Sequence, residues 1–271
     1  MKETIYTIPI NEAFDRRDGC PMCELSRNLE RSSLDYIMGA AMMEPDVRIK
    51  TNEQGFCGRH LQIMLGEKNK LALALMLESH LPELDKTVFG EAVKAAARRP
   101  ARILPDFSAL RVLLTRNDPK TRPGEKSRFG IKSKASVESR DDFKKIRAAA
   151  RTADSGCYIC GRISVFMERY YENMLYIWKK EADFREKFKK QPFFCLSHYA
   201  DLLDYAERCL PRNQRSEFIG ELSKICGSYL EALSCDISEF CKSFDYRYAG
   251  RGMSGGALSA VERAVKFLTG G

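Results

Sequence analysis

The chain has 271 residues, a net charge of +8, 44% hydrophobic residues and a single tryptophan beside 15 phenylalanines. That length suits two lobes of roughly 100 residues each with a connector. It offers no run of eighteen apolar residues to span a bilayer, and Met1-Lys2-Glu3-Thr4-Ile5-Tyr6 lacks the apolar core of a secretory signal.

In chain order, Ile5-Tyr6-Thr7-Ile8-Pro9-Ile10 alternates briefly and predicts one extended strip packed on helices. Cys20-Pro21-Met22-Cys23 follows. The run Leu25, Leu29, Leu34, Ile37, Met38 then has the three-to-four spacing of a buried helix face. Glu44-Pro45-Asp46-Val47-Arg48 predicts a second, short helix, whose acids suit free N–H groups and whose proline is tolerated in a first turn. Phe56-Cys57-Gly58-Arg59-His60 leads into a helix at Leu61–Leu65, and a long helix is expected over Lys70–Arg98. Its stretch Leu71–Leu77 is apolar on every face, which predicts burial within the bundle or against a partner chain.

Between Arg98 and Arg151 sixteen lysines and arginines face six acids, a net +10 that exceeds the charge of the whole chain. With Pro100, Pro105, Pro119, Pro123, Gly124 and Gly130, this reads as a basic connector, with short helices near Ser108–Leu114 and Asp141–Arg151. A solvated linker is one reading of it, and contact with nucleic acid or an acidic protein is the other.

Beyond the connector the pattern returns. Cys157-Tyr158-Ile159-Cys160 precedes Ile163, Phe166, Met167, Tyr170, Met174, Ile177 and Trp178 at helical spacing. Glu181-Ala182-Asp183-Phe184-Arg185 follows, then Phe194-Cys195-Leu196-Ser197-His198, a helix at Tyr199–Leu203 and a long helix near Gln214–Lys242. A glycine-rich turn at Gly250–Gly256 leads into Ala257–Leu268, expected to fold back on the body through Leu258, Val261, Val265 and Leu268.

A shift of 137 positions lays Cys20 on Cys157, Cys23 on Cys160, and Glu44–Arg48 on Glu181–Arg185; one inserted residue then aligns the two CxxH motifs. Internal duplication explains a match that extends into spacers where ligand chemistry demands nothing. The expected fold is all-α. It has two pseudo-repeated helical lobes, 1–97 and 152–271, the latter with a C-terminal helix, joined by the basic connector 98–151.

Each copy carries CxxC, then CxxH after spacers of 33 and 34 residues. Six of the ten cysteines and two of the three histidines fall in these positions. Three thiolates and an imidazole suit a closed tetrahedral zinc site, so two Zn²⁺ per chain are expected. Pairing within each copy assigns Cys20, Cys23, Cys57 and His60 to one ion, and Cys157, Cys160, Cys195 and His198 to the other. Such ions staple each lobe, since four protein ligands leave no place for substrate. A binuclear centre shared by both lobes is the competing geometry, and an iron–sulfur cluster the competing cofactor.

His80 reads as a hydrogen-bonded core or surface residue, and Cys209, Cys226, Cys235 and Cys241 as buried free thiols. No GxSxG, P-loop, GxGxxG, HExxH or paired-carboxylate signature occurs. A non-enzymatic module that binds a macromolecule or acts as a scaffold in a reducing cytoplasm, with no membrane role, is therefore expected. An iron–sulfur or zinc–thiol redox enzyme is the alternative.

CPMC…GFCGRH and CYIC…FFCLSH, with the opening Ile5–Phe14 and the run Leu71–Leu77, resemble a bacterial family catalogued as domain of unknown function 6062, common in anaerobic gut Firmicutes. The resemblance covers both lobes. It implies this architecture and a bacterial cytoplasmic origin, and no mechanism. The connector is longer and more basic than the resemblance leads one to expect, and Pro192-Phe193-Phe194 stands where the family has Gly-Phe.

Overall fold

A computed structural model of the chain describes residues 7–90, 135–248 and 252–270. Among the described residues every regular element is helical and none is a strand. The chain divides into two compact units. Unit 1 is discontinuous, Met1–Ile37 with Ile159–Gly271, and unit 2 is Met38–Tyr158. These boundaries differ from the expected lobes 1–97 and 152–271.

In unit 1, α1 spans Thr7–Arg16 and α2 starts at Pro21 and runs to Met38. After the chain returns come α7 (Tyr158–Lys180), α8 (Ala182–Lys189), α9 (Leu196–Cys209), α10 (Arg212–Ser243), α11 (Gly255–Leu258) and α12 (Ala260–Thr269). Thr7–Ile10 is helical where an extended strip is expected. Pro9 sits in the first turn, where no N–H is needed, and Ile10, Ala13 and Phe14 place one apolar face in the core. That core is aromatic. Phe188 lies within 6.2 Å of Phe14, 5.1 Å of Phe194 and 5.3 Å of Phe218, and Trp178 meets Phe218 edge-on. Trp178 Nε1 donates to Glu221, so its one polar atom is satisfied.

The last helix docks by a face other than the expected one. Ala257, Ala260 and Phe267 are buried, while Leu258, Val261, Val265 and Leu268 are exposed. Phe267 joins Phe193 and Tyr229 at 5.9 and 5.7 Å, and the two alanines allow close approach of the backbone. Phe267 finds ring partners there, and such aromatic pairs stabilise beyond the area they bury.

Unit 2 contains α3 (Pro45–Gln54), α4 (Gly58–Gly66), α5 (Lys70–Leu84), a π-helical turn over Asp85–Phe89 and α6 (Ala135–Ser155). The short helix expected near Ser108–Leu114 and the end of the Lys70–Arg98 helix lie outside the described residues, whereas the one near Asp141–Arg151 is part of α6. α5 buries Ala72, Leu73 and Met76 but leaves Leu71 64% exposed. All-round burial of Leu71–Leu77 within the chain is therefore absent, because one face of α5 suffices to meet α3 and α4.

The helix starts repeat as the sequence does: α2 and α7, and α3 and α8, are offset by 137 residues, and α4 and α9 by 138. Glu44 and Glu181 are the N-caps of α3 and α8, but neither side chain caps. The matched arginines instead reach backbone carbonyls. Arg48 donates to Leu75 at 2.7 Å, and Arg185 to Trp178 at 2.8 Å while lying over its indole ring.

Candidate metal centres

Each of the four ligand pairs is built in the same way at the start of a helix. The first cysteine precedes the helix: Cys20 before α2, Cys57 before α4, Cys157 before α7 and Cys195 before α9. The second ligand, Cys23, His60, Cys160 or His198, sits three residues on, one turn into it. An i to i+3 step across a helix start puts both side chains on one side of the opening turn, close enough to share an ion. The free N–H groups and positive dipole end there favour thiolate.

The eight residues gather into two clusters, with the pairing crossed between the copies. Cys20 and Cys23 meet Cys195 and His198, while Cys57 and His60 meet Cys157 and Cys160. In each cluster the four ligand atoms all lie within 4.8 Å of one another. The expected sets, Cys20, Cys23, Cys57, His60 and Cys157, Cys160, Cys195, His198, are thereby corrected, and no shared eight-ligand centre forms.

Helix lengths go with this grouping. α2 has 18 residues, a rise of about 27 Å, and α3 only 10, about 15 Å. In the second copy α7 has 23 residues and α8 only 8, rises of about 35 Å and about 12 Å. Neither spacer is thus a pair of equal helices that would lead a CxxH back along its own length, and each CxxH groups with the CxxC of the other copy.

The first cluster lies wholly in unit 1. Cys23 Sγ is 3.5 Å from Cys195 Sγ, and His198 Nδ1 is 3.1 Å from Cys195, 3.2 Å from Cys23 and 3.6 Å from Cys20. These four separations lie close to the edges of a tetrahedron with bonds of about 2.0–2.3 Å, and the two remaining edges are no longer than 4.8 Å, so the donor set suits a tetrahedral ion such as zinc. All three sulfurs belong to buried residues. Burial works against a charged His198, but hydrogen bonds with Cys195 and Cys20 outweigh it and hold its pKa at about 10. Hydrogen bonds with Cys20 and Cys23 push the Cys195 thiol far down, while its bond with Cys195 pushes Cys23 far up. Metal ligands bind deprotonated, so an arriving cation would displace the protons these groups carry.

Surroundings hold this geometry. Tyr171 packs its ring 6.4 Å from that of His198 and donates to Asp201 at 2.8 Å. Gly270 has φ +75° and its carbonyl lies 3.4 Å from Cys23 Sγ; a Cβ there would stand 3.3 Å from Cys195 Sγ. A cavity of about 410 Å³ lies beside Cys20 and Cys23, bordered by Arg17, Arg27, Arg263 and Lys266 and by the acids Asp18 and Glu24.

In the second cluster His60 Nδ1 is 3.2 Å from Cys57 Sγ and 3.3 Å from Cys157 Sγ. The scaffold of this cluster is a backbone clasp: Tyr158 N donates to the Gly55 carbonyl at 3.0 Å. Gly55 needs glycine at φ +63°, and a Cβ on Gly156 would fall 2.2 Å from the Gln54 carbonyl oxygen. His80, a hydrogen-bonded residue as expected, has Nδ1 3.1 Å from the Asn52 carbonyl, and its ring edge closes over Gly55. Sequence reasoning missed this supporting role, although the glycine before each CxxC was visible.

Of the cysteines outside the clusters, Cys226 is buried as expected, but Cys209, Cys235 and Cys241 are exposed. Cys209 is the last residue of α9, and Cys235 and Cys241 fall off the buried face of the 32-residue α10. Among the described residues no helix is long and apolar enough to cross a membrane.

Neither a curated protein nor a solved structure matches the chain. A family model does match, over residues 1–271. With its twin CxxC and CxxH motifs, the chain belongs to the family of unknown function DUF6062.

Proposed function

We propose that this protein is a two-zinc module of the bacterial cytoplasm, non-enzymatic, in which metal fixes a helical scaffold that binds another macromolecule. The observation that carries the reading is the pair of Cys₃His clusters, each with a full set of four donors within 4.8 Å and hence closed to substrate. All eight ligands, Cys20, Cys23, Cys195 and His198 with Cys57, His60, Cys157 and Cys160, are assigned to metal on that ground. Zinc is preferred to an iron–sulfur cluster because three thiolates with one imidazole are its ordinary structural set. The basic connector 98–151 is the proposed contact with nucleic acid or an acidic protein, and its exposed members on α6 include Lys145, Arg147 and Arg151.

Elemental analysis of protein purified anaerobically without added metal tests the first part. Two zinc per colourless chain is the expected result, and a brown protein absorbing near about 400 nm would replace zinc with a cluster. Nucleic-acid affinity that falls steeply with salt supports the second part. Salt-insensitive capture of a protein would move the partner to that class.

A further inference from the structure

The two centres have the same ligands but different surroundings. Cys20 and Cys23 are each 4% exposed and Cys195 is fully buried, within the aromatic core of unit 1, and His198 alone of the four is half-buried. In the other centre His60 is buried, Cys57 and Cys157 are half-buried, and Cys160 is exposed. An external ligand can approach the second set of sulfurs directly. A molecule entering the cavity beside the first set meets almost no sulfur surface.

The centres also differ in what holds them together. The Tyr158–Gly55 hydrogen bond, the glycine contact at Gln54 and the His80 buttress fix the second ligand loops through backbone, independently of any ion. Among the described residues the first centre has no such backbone clasp. The residue matching Tyr158 is Pro21, which has no N–H to donate, and the residue matching Gly55 is Phe193, whose ring stacks on Tyr229. Its ligands keep their places through core packing and through side-chain contacts such as that of Cys23 Sγ with the Gly270 carbonyl.

We infer that the centres divide the work: Cys20, Cys23, Cys195 and His198 hold a permanent structural ion, whereas Cys57, His60, Cys157 and Cys160 form an exchangeable site that gives and takes its ion with external thiolate and nitrogen ligands. This rests on the two-metal reading above. Exchange is ligand for ligand. Each bond lost to a cysteine sulfur, with that thiolate taking up a proton, is replaced by one to the incoming donor, and no oxidation state changes. Opening the buried centre requires local unfolding of a packed core, and opening the exposed one does not. The backbone clasp keeps the second site's shape after the ion leaves, so it can be refilled.

The test starts from intact protein shown by elemental analysis to carry two zinc per chain; a lower content would defeat the two-metal reading before exchange is addressed. A chromogenic pyridylazo chelator in excess should then remove zinc in two phases of equal amplitude, with rates about tenfold or more apart. Alkylation with N-ethylmaleimide at the end of the fast phase should modify Cys57, Cys157 and Cys160 and spare Cys20, Cys23 and Cys195. Cys209, Cys235 and Cys241 should react with or without chelator. Helicity by circular dichroism should survive the fast phase, and added zinc should restore both the ion and the protection. One phase for both ions, alkylation of Cys20 or Cys23 first, or collapse of helicity with the fast ion would each overturn the inference.

Discussion

The crossed pairing can be tested by counting ions in two double variants. The cluster geometry makes C20S and C195S lesions in one centre, so the double variant C20S/C195S should keep one zinc per chain, in the centre of Cys57, His60, Cys157 and Cys160. C20S/C57S removes a thiolate from each centre and should lose both ions. Pairing within each copy demands the reverse outcome. The energetic side follows from loop length. Cys23 and Cys195 are 172 positions apart, against 34 for Cys23 and Cys57. In the chain-entropy picture a crosslink over 172 residues restrains the unfolded chain by about 5 kcal/mol, and one over 34 by about 4. Losing the first ion should therefore cost stability on the order of 5 kcal/mol, before the bond enthalpy of the site itself is counted. Inductively coupled plasma mass spectrometry of the purified variants gives the stoichiometry, and chemical denaturation of C195S against the parent gives the loss. One zinc in C20S/C57S with none in C20S/C195S would refute the crossed arrangement, whatever the stabilities.

Replacing Gly156 with Ala drives a Cβ into the Gln54 carbonyl at 2.2 Å, so the clasp must open. The expected result is a loss of about 3 kcal/mol or more in denaturant melts and release of the Cys57–His60–Cys157–Cys160 ion, with the other ion retained. Gly270→Ala must hold φ +75° and crowd Cys195 Sγ; about 1–2 kcal/mol of destabilisation is expected, with faster loss of the buried ion in a chelator assay. Phe188→Ala opens a cavity among Phe14, Phe194 and Phe218 and should cost about 3–5 kcal/mol by denaturation, while zinc content stays at two in the folded protein.

Much of this protein was legible from the chain alone, for reasons that are local. Ligand identity follows from residue chemistry, so the Cys/His pairs at Cys20, Cys57, Cys157 and Cys195 stand out without coordinates, and so does their position at helix starts. Apolar spacing identified α2, α7 and the long α10, and the 137-residue shift anticipated the repeated order of elements. The choice of partner for each pair was not local. CxxC and CxxH carry the same ligands in both copies, so either pairing satisfies the motif, and only the tertiary grouping of the four helix starts decides between them. The faces of α5 and α12 were equally open in sequence: Leu71 and the stripe from Leu258 to Leu268 are apolar enough for a core. Competition for the available surface was won instead by Met76 and Phe267, because burial is settled by which side chains find a complementary partner and not by hydrophobicity alone. The inequality of the two centres also belongs to tertiary structure, since one identical ligand set came to rest in an aromatic core and the other where Cys160 meets solvent.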